Sequence, residues 1–89
     1  MGVEYEVIRF KDKEIHLTAR QLDTLIQIEH YMLKNHVPPT VRELCELCCV
    51  SSTSTMQERL AMLREKGLVR TAEGVMRGVT SVRIEYRRI

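Results

Sequence analysis

Three cysteines crowd into one short stretch, at Cys45, Cys48 and Cys49, where they could bind a metal or form a redox switch. A Cys-x-x-Cys pair supplies only half of a tetrahedral zinc site, and the sequence holds no second pair to close it. An odd, clustered set of cysteines does not make a disulfide framework either. Cys45 and Cys48 fall about one helical turn apart beside Leu44, so packing as small apolar side chains is expected of them. His16, His30 and His36 are scattered, with no nucleophile or carboxylate at a catalytic spacing. Neither an enzyme nor a cofactor, metal site or small-molecule substrate is therefore expected. The remaining chemistry is polar recognition. The run Ser51-Ser52-Thr53-Ser54-Thr55 suits helix capping and phosphate contact, and Arg59, Arg70 and Arg77 can meet anions. Arg77, in a loop with Gly74 and Gly78, has the best reach to a phosphate or a minor groove.

These residues have to be held by local structure, and the stretch from Pro38 to Val69 shows how. Thr40-Val41-Arg42-Glu43 is a capping box, in which the threonine hydroxyl and the glutamate carboxylate each satisfy a free backbone N–H. It opens a short helix to about Cys48. Ser52 is the expected N-cap of a further helix running to Lys66, which Gly67 ends by adopting a left-handed conformation. Met56, Leu60 and Leu63 share one face of that helix. Ser54, Glu58, Ala61 and Glu65 share the opposite one, with Gln57 on its flank. Upstream, Thr18-Ala19-Arg20-Gln21 is another capping box. Its helix carries Leu22, Leu25, Ile26, Met32 and Leu33 and must stop near Asn35, because Pro38 and Pro39 forbid continuation.

The flanks read as strands. Val3 to Phe10 alternates apolar and polar residues, Lys11-Asp12-Lys13 is a turn without glycine, and Glu14 to Leu17 is a return strand. Leu68 to Thr71 is a strand, Glu73 to Gly78 a loop, and Val79 to Ile89 a second strand with Val82, Ile84 and Tyr86 alternating. A helix-turn-helix followed by such a hairpin is a winged helix, a geometry that offers one helix to the DNA major groove.

Eighty-nine residues with 44% hydrophobic content make one folded domain with a modest core. No apolar run approaches the ~20 residues that span a bilayer, and no signal peptide opens the chain, so a cytoplasmic protein without membrane contact is expected. The net charge of +2 is small, but its distribution is uneven. Residues 1–49 hold six Lys or Arg against eight Asp or Glu, and residues 50–89 hold eight against four. The basic half begins at the Ser-rich helix start and includes the hairpin, where phosphates would be neutralised.

Leu17 to Val79 resembles the N-terminal DNA-binding domain of LexA-type repressors. The likeness rests on LTARQLDTL, PPTVREL, SSTST and REKGLVR, in that order and at matching spacing. It implies a sequence-specific transcriptional regulator, a repressor, bound as a dimer to a palindromic duplex. By the same likeness Ser52, Ser54, Gln57 and Glu58 would read bases, glutamine suiting adenine and glutamate the cytosine amino group. Thr40, Arg42, Thr53, Arg59 and Arg77 would meet the DNA backbone. The operator sequence does not carry over, because the family varies at these positions.

The fold class expected is α+β: a winged helix-turn-helix of three helices, with a small antiparallel wing extended by an N-terminal strand. Residues 1–16 would form a β extension and residues 17–89 the winged helix, together one compact unit. The self-cleaving domain that carries the dimer interface in LexA repressors is not in this sequence, which could also be a fragment of a longer protein. Pairing of Glu4 to Phe10 with Val82 to Ile89 is therefore expected to widen the wing sheet and support a homodimer. Cys49, where a glycine is common, suggests a slightly altered turn. The alternative function is a protein–protein interaction module that modulates another regulator, since winged helices serve that role too.

Overall fold

The computed structural model describes residues 5–72, 74, 75 and 77–87. Its elements run β1 (Tyr5–Phe10), β2 (Lys13–Thr18), α1 (Ala19–Asn35), α2 (Val41–Leu47), α3 (Thr53–Glu65), β3 (Val69–Arg70), β4 (Thr80–Ser81) and α4 (Val82–Arg87). This is the α+β architecture of a winged helix, preceded by a hairpin.

β1 and β2 pair antiparallel from Tyr5↔Thr18 to Phe10↔Lys13. Only Lys11 and Asp12 connect them, at φ 53° and 62°. Two left-handed residues make a turn whose twist matches the strands, a geometry usually written with glycine. The hairpin forms without one because its inner face is apolar. Leu17 is fully buried, and Ile8, Phe10 and Ile15 pack on the core.

α1 starts where the capping box requires. Thr18 Oγ1 accepts from the Gln21 amide at 3.1 Å, and Gln21 Oε1 accepts from the Thr18 amide at 3.0 Å. Its buried line is Leu25, Ile28 and Met32, with Thr24 beside it. Ile26 and Leu33, expected on that face, are 39% and 53% exposed instead. Each sits one residue past a core position, about 100° around the helix, so the 3.6-residue period carries it to the flank.

Thr40 caps α2 with the same reciprocal pair, Thr40 Oγ1 to the Glu43 amide at 3.1 Å and Glu43 Oε1 to the Thr40 amide at 2.8 Å. Ser52 caps α3, which buries Met56, Leu60 and Leu63. Between α2 and α3, Cys49 stands at φ 55° while its amide donates to Glu46 O and the Val50 amide to Cys45 O. This is the helix-ending motif that glycine normally serves, so cysteine keeps the ordinary turn here and does not alter it.

Two expectations about the C-terminal segment are corrected. The wing sheet is short, with only Val69↔Ser81 and Arg70↔Thr80 paired, and residues 82–87 continue as helix α4 where a strand was expected. The N-terminal strand does not widen the wing, because β1–β2 and β3–β4 are separate sheets. Three contacts explain why an alternating segment turns helical. The Val82 amide donates to Leu68 O, where β3 begins and its partner edge runs out. Ile84 enters the core. Arg83 donates to both carboxylate oxygens of Glu29 on α1, at 2.7 and 2.6 Å. Val3, Glu4, Glu73 and Ile89, which figured in the sequence reading, lie outside the described residues. Among the described residues no helix is long and apolar enough to cross a membrane.

Candidate nucleic-acid interface

Burial of Met56, Leu60 and Leu63 turns the other side of α3 to solvent, and Ser54, Gln57 and Glu58 are all exposed there. Thr53 is exposed at the first helical position, and Ser52 Oγ accepts from the Thr55 amide at 3.5 Å. The fold therefore brings Ser52, Thr53, Ser54, Gln57 and Glu58 onto one helix start and face. A carboxamide, a carboxylate and hydroxyls in a row can pair with base edges, while free N–H groups at the helix start favour phosphate.

A groove runs along each side of α3. On one side Arg20 of α1 faces Thr55, Glu58 and Arg59, and the groove continues to Cys49 and Ser51 in the interhelical turn. Arg59 is half-buried there, its Nη1 donating to Thr24 Oγ1 at 3.4 Å, while that hydroxyl donates to Arg20 O at 2.9 Å. On the other side Gln57 and Arg64 face Thr71, Ala72 and Val75 of the wing, and Arg64 Nη1 donates to Thr71 Oγ1 at 3.1 Å. Sequence reasoning missed Arg20 and Arg64. Arg64 was findable, since it follows Gln57 by two turns on one face. Arg20 was not, because only the packing of α1 against α3 brings it to the groove.

The other candidates sit differently. Arg42 is exposed on α2. The Thr40 hydroxyl is taken by its capping duty. Arg77 turns away from α3 toward the α1–α2 junction. Its Nη1 lies 2.7 Å from Glu43 Oε1, 3.0 Å from the Tyr31 hydroxyl and 3.1 Å from Pro38 O, with the guanidinium 5.9 Å from the Tyr31 ring centre. The Tyr31 hydroxyl donates to Glu43 Oε2 at 2.7 Å. The Glu43 carboxyl is held down at about 2 by the Thr40 amide first, then by Tyr31; burial opposes them, and Arg77 lowers it by less than burial raises it. One of the wing residues bordering the α3 groove is Val75, 57% exposed, next to Gly74 at φ 73°.

Cys45 is buried, Cys48 half-buried and Cys49 exposed. Burial pushes the Cys48 thiol up, partly offset by its contact with Thr24 Oγ1 at 3.8 Å. Among the described residues no three metal-binding side chains converge.

The model of the LexA DNA binding domain matches residues 14–78, from β2 through the three helices α1 to α3 and β3 into the wing loop, ending before β4. The chain belongs to the LexA DNA binding domain family. Among its relatives, the LexA repressor of Alkaliphilus oremlandii is 41% identical over 54 residues, covering 61% of this chain and 26% of the relative. The LexA repressor of Citrifermentans bemidjiense is 38% identical over 64 residues, covering 72% and 32%. The LexA repressor of Bacillus pumilus is 43% identical over 54 residues, covering 61% and 26%. The chain thus spans between about a quarter and a third of the length of these repressors.

Proposed function

We propose that this domain binds duplex DNA site-specifically with α3 in the major groove and acts as a transcriptional repressor. The observation that carries the reading is the exposed row of Ser54, Gln57 and Glu58 on a capped helix, in a chain of the LexA DNA binding domain family. Ser52, Ser54, Gln57 and Glu58 read bases. Thr53, Arg42 and Arg59 meet phosphates, and Arg20 joins them from the α1 side of the groove. Thr40 and Arg77, whose polar groups are taken within the protein, contribute by holding α2 and the wing. The site is palindromic and takes two copies.

Selection from random duplexes at moderate salt tests this. Enrichment of one motif is expected, and Gln57→Ala or Glu58→Ala should each cost about 1–3 kcal/mol on it and relax one base position. No enriched motif would sink the reading. It would favour a protein-binding module, whose supporting observation is the shallow cleft where Leu33 and Leu47 lie exposed beside Tyr31.

A further inference from the structure

We propose that Arg77 is a positioning residue of the wing, clamped by Glu43 and Tyr31 to the start of the helix-turn-helix, so that wing and α3 meet a duplex as one preset unit. The duplex part of this rests on the function proposed above. The clamp itself rests on the contacts.

The base of the wing is anchored by buried Val69, Val79 and Ser81 and by the Arg64–Thr71 bond, and Arg77 is the described loop residue that reaches across to α1 and α2. The wing sheet is two residue pairs long, and beyond them, among the described residues, the Ala72 amide donates to Gly78 O at 3.1 Å. The closure is tight: a Cβ on Gly78 would stand 2.7 Å from Ala72 O. A two-pair hairpin is marginal alone, so its orientation relative to α3 has to come from tertiary contacts. Arg77 supplies the most directional of these. Its fork meets both Glu43 oxygens, at 2.7 and 3.5 Å, while Nη1 also reaches a hydroxyl and a carbonyl. A planar guanidinium in such a cradle fixes orientation as well as distance, which a lysine ammonium cannot do.

The partner is equally well placed. Glu43 closes the capping box of α2, the first helix of the helix-turn-helix, and Tyr31 comes from α1. One carboxylate therefore ties the helix start, the α1 surface and the wing loop together. With Arg77 turned to that junction, the wing presents Thr71, Ala72 and Val75 along the α3 groove. Phosphate contact by Arg77 would require breaking all of these bonds. The two roles thus make opposite predictions for Glu43. If Glu43 competes with DNA for Arg77, removing its charge frees the arginine and tightens binding. If Glu43 positions the wing through Arg77, the same change loosens it.

The test uses the full chain with Glu43→Gln, Arg77→Ala, Arg77→Lys and the Glu43→Gln/Arg77→Ala double variant. Glutamine still serves a capping box, so α2 keeps its start in Glu43→Gln. Amide exchange at Ala72 is read first, without DNA. Faster exchange in Glu43→Gln and Arg77→Ala, with the core amides of Leu25 and Leu60 unchanged, is expected. Unchanged Ala72 exchange would overturn the clamp whatever the protein binds. Duplex affinity on the selected motif is read next. If the docked wing falls to about a tenth of the population, apparent affinity drops about tenfold. That drop is expected in both single variants, with the double variant no worse than either. Arg77→Lys should fall like Arg77→Ala, and the salt dependence should keep its slope. Tighter binding by Glu43→Gln, near-normal binding by Arg77→Lys, or an Arg77→Ala slope shallower by about 0.9 units would make Arg77 a phosphate ligand and overturn the proposal. If the unaltered chain enriches no motif, the function proposed above has failed and the amide exchange alone decides the clamp.

Discussion

Glu43 shows how much one side chain can be asked to do. Its Oε1 accepts from the Thr40 amide and from Arg77, and its Oε2 accepts from the Tyr31 hydroxyl. Each of these bonds favours the ionised carboxylate, which is why protonation waits until about pH 2 and not the ordinary 4.5. A carboxyl lowered in the folded state contributes stability that is complete above about 4.5, the unfolded value. The contribution shrinks as pH falls from there and is gone below about 2. Carbon-detected NMR titration should give Glu43 a midpoint near 2, and Arg77→Ala should move it upward while leaving the larger Thr40 effect in place. A midpoint at the ordinary carboxylate value would mean that the three contacts are not kept in solution.

Helices α2 and α3 end by one shared device. After α3, Gly67 takes φ 77°, its amide donating to Arg64 O and the Leu68 amide to Leu63 O. After α2, Cys49 and Val50 make the same two bonds to Glu46 and Cys45. The first site has the residue the geometry favours. The second carries a Cβ into the left-handed region, where it crowds the following carbonyl. Cys49→Gly should therefore stabilise the domain, by about 0.5–1 kcal/mol once the greater freedom of glycine in the unfolded chain is discounted. Urea denaturation at fixed pH measures it, and a midpoint that falls would show that the exposed thiol makes a contact worth more than the strain. His36, at φ 61° after α1, carries the same kind of strain at the third helix end.

Taken whole, the domain measures 36 × 35 × 23 Å. Its long dimensions match about one turn of duplex, ~34 Å, which is also the ordinary spacing between half-sites. On the function proposed above, one copy would cover one half-site and a palindromic operator would take two. Sedimentation of the chain with its selected duplex should give two copies per full site and one per isolated half-site. One copy on the full site would remove the palindrome from the proposal. The dimer contact, if the free chain makes one, is not the widened wing sheet expected from sequence, since β1 is already paired to β2 and residues 82–87 are helical. Deleting residues 1–13 is also no neutral probe of assembly, because Ile8 and Phe10 pack on the core.

The local signals were legible in the residues. Thr18 with Gln21, Thr40 with Glu43, Ser52 and Gly67 set the ends of α1, α2 and α3, because caps act within three or four residues and carry their own geometry. The outward row Ser54, Gln57 and Glu58 followed from the apolar period of Met56, Leu60 and Leu63. What the chain could not show locally was decided by contacts between distant segments. Val82 to Arg87 alternates like a strand, but its pairing with β3 stops at Val69↔Ser81, while Glu29, lying 54 positions from Arg83, gave it a reason to coil. Arg77 looked like a wing-tip cation reaching outward, and nothing near it in sequence discloses that Glu43, 34 positions back, holds it inward. Arg20 reached the α3 groove in the same way, by helix packing. Caps and periods are properties of a few neighbouring residues, whereas the partner of a charge or the availability of a sheet edge exists only once the whole chain has closed.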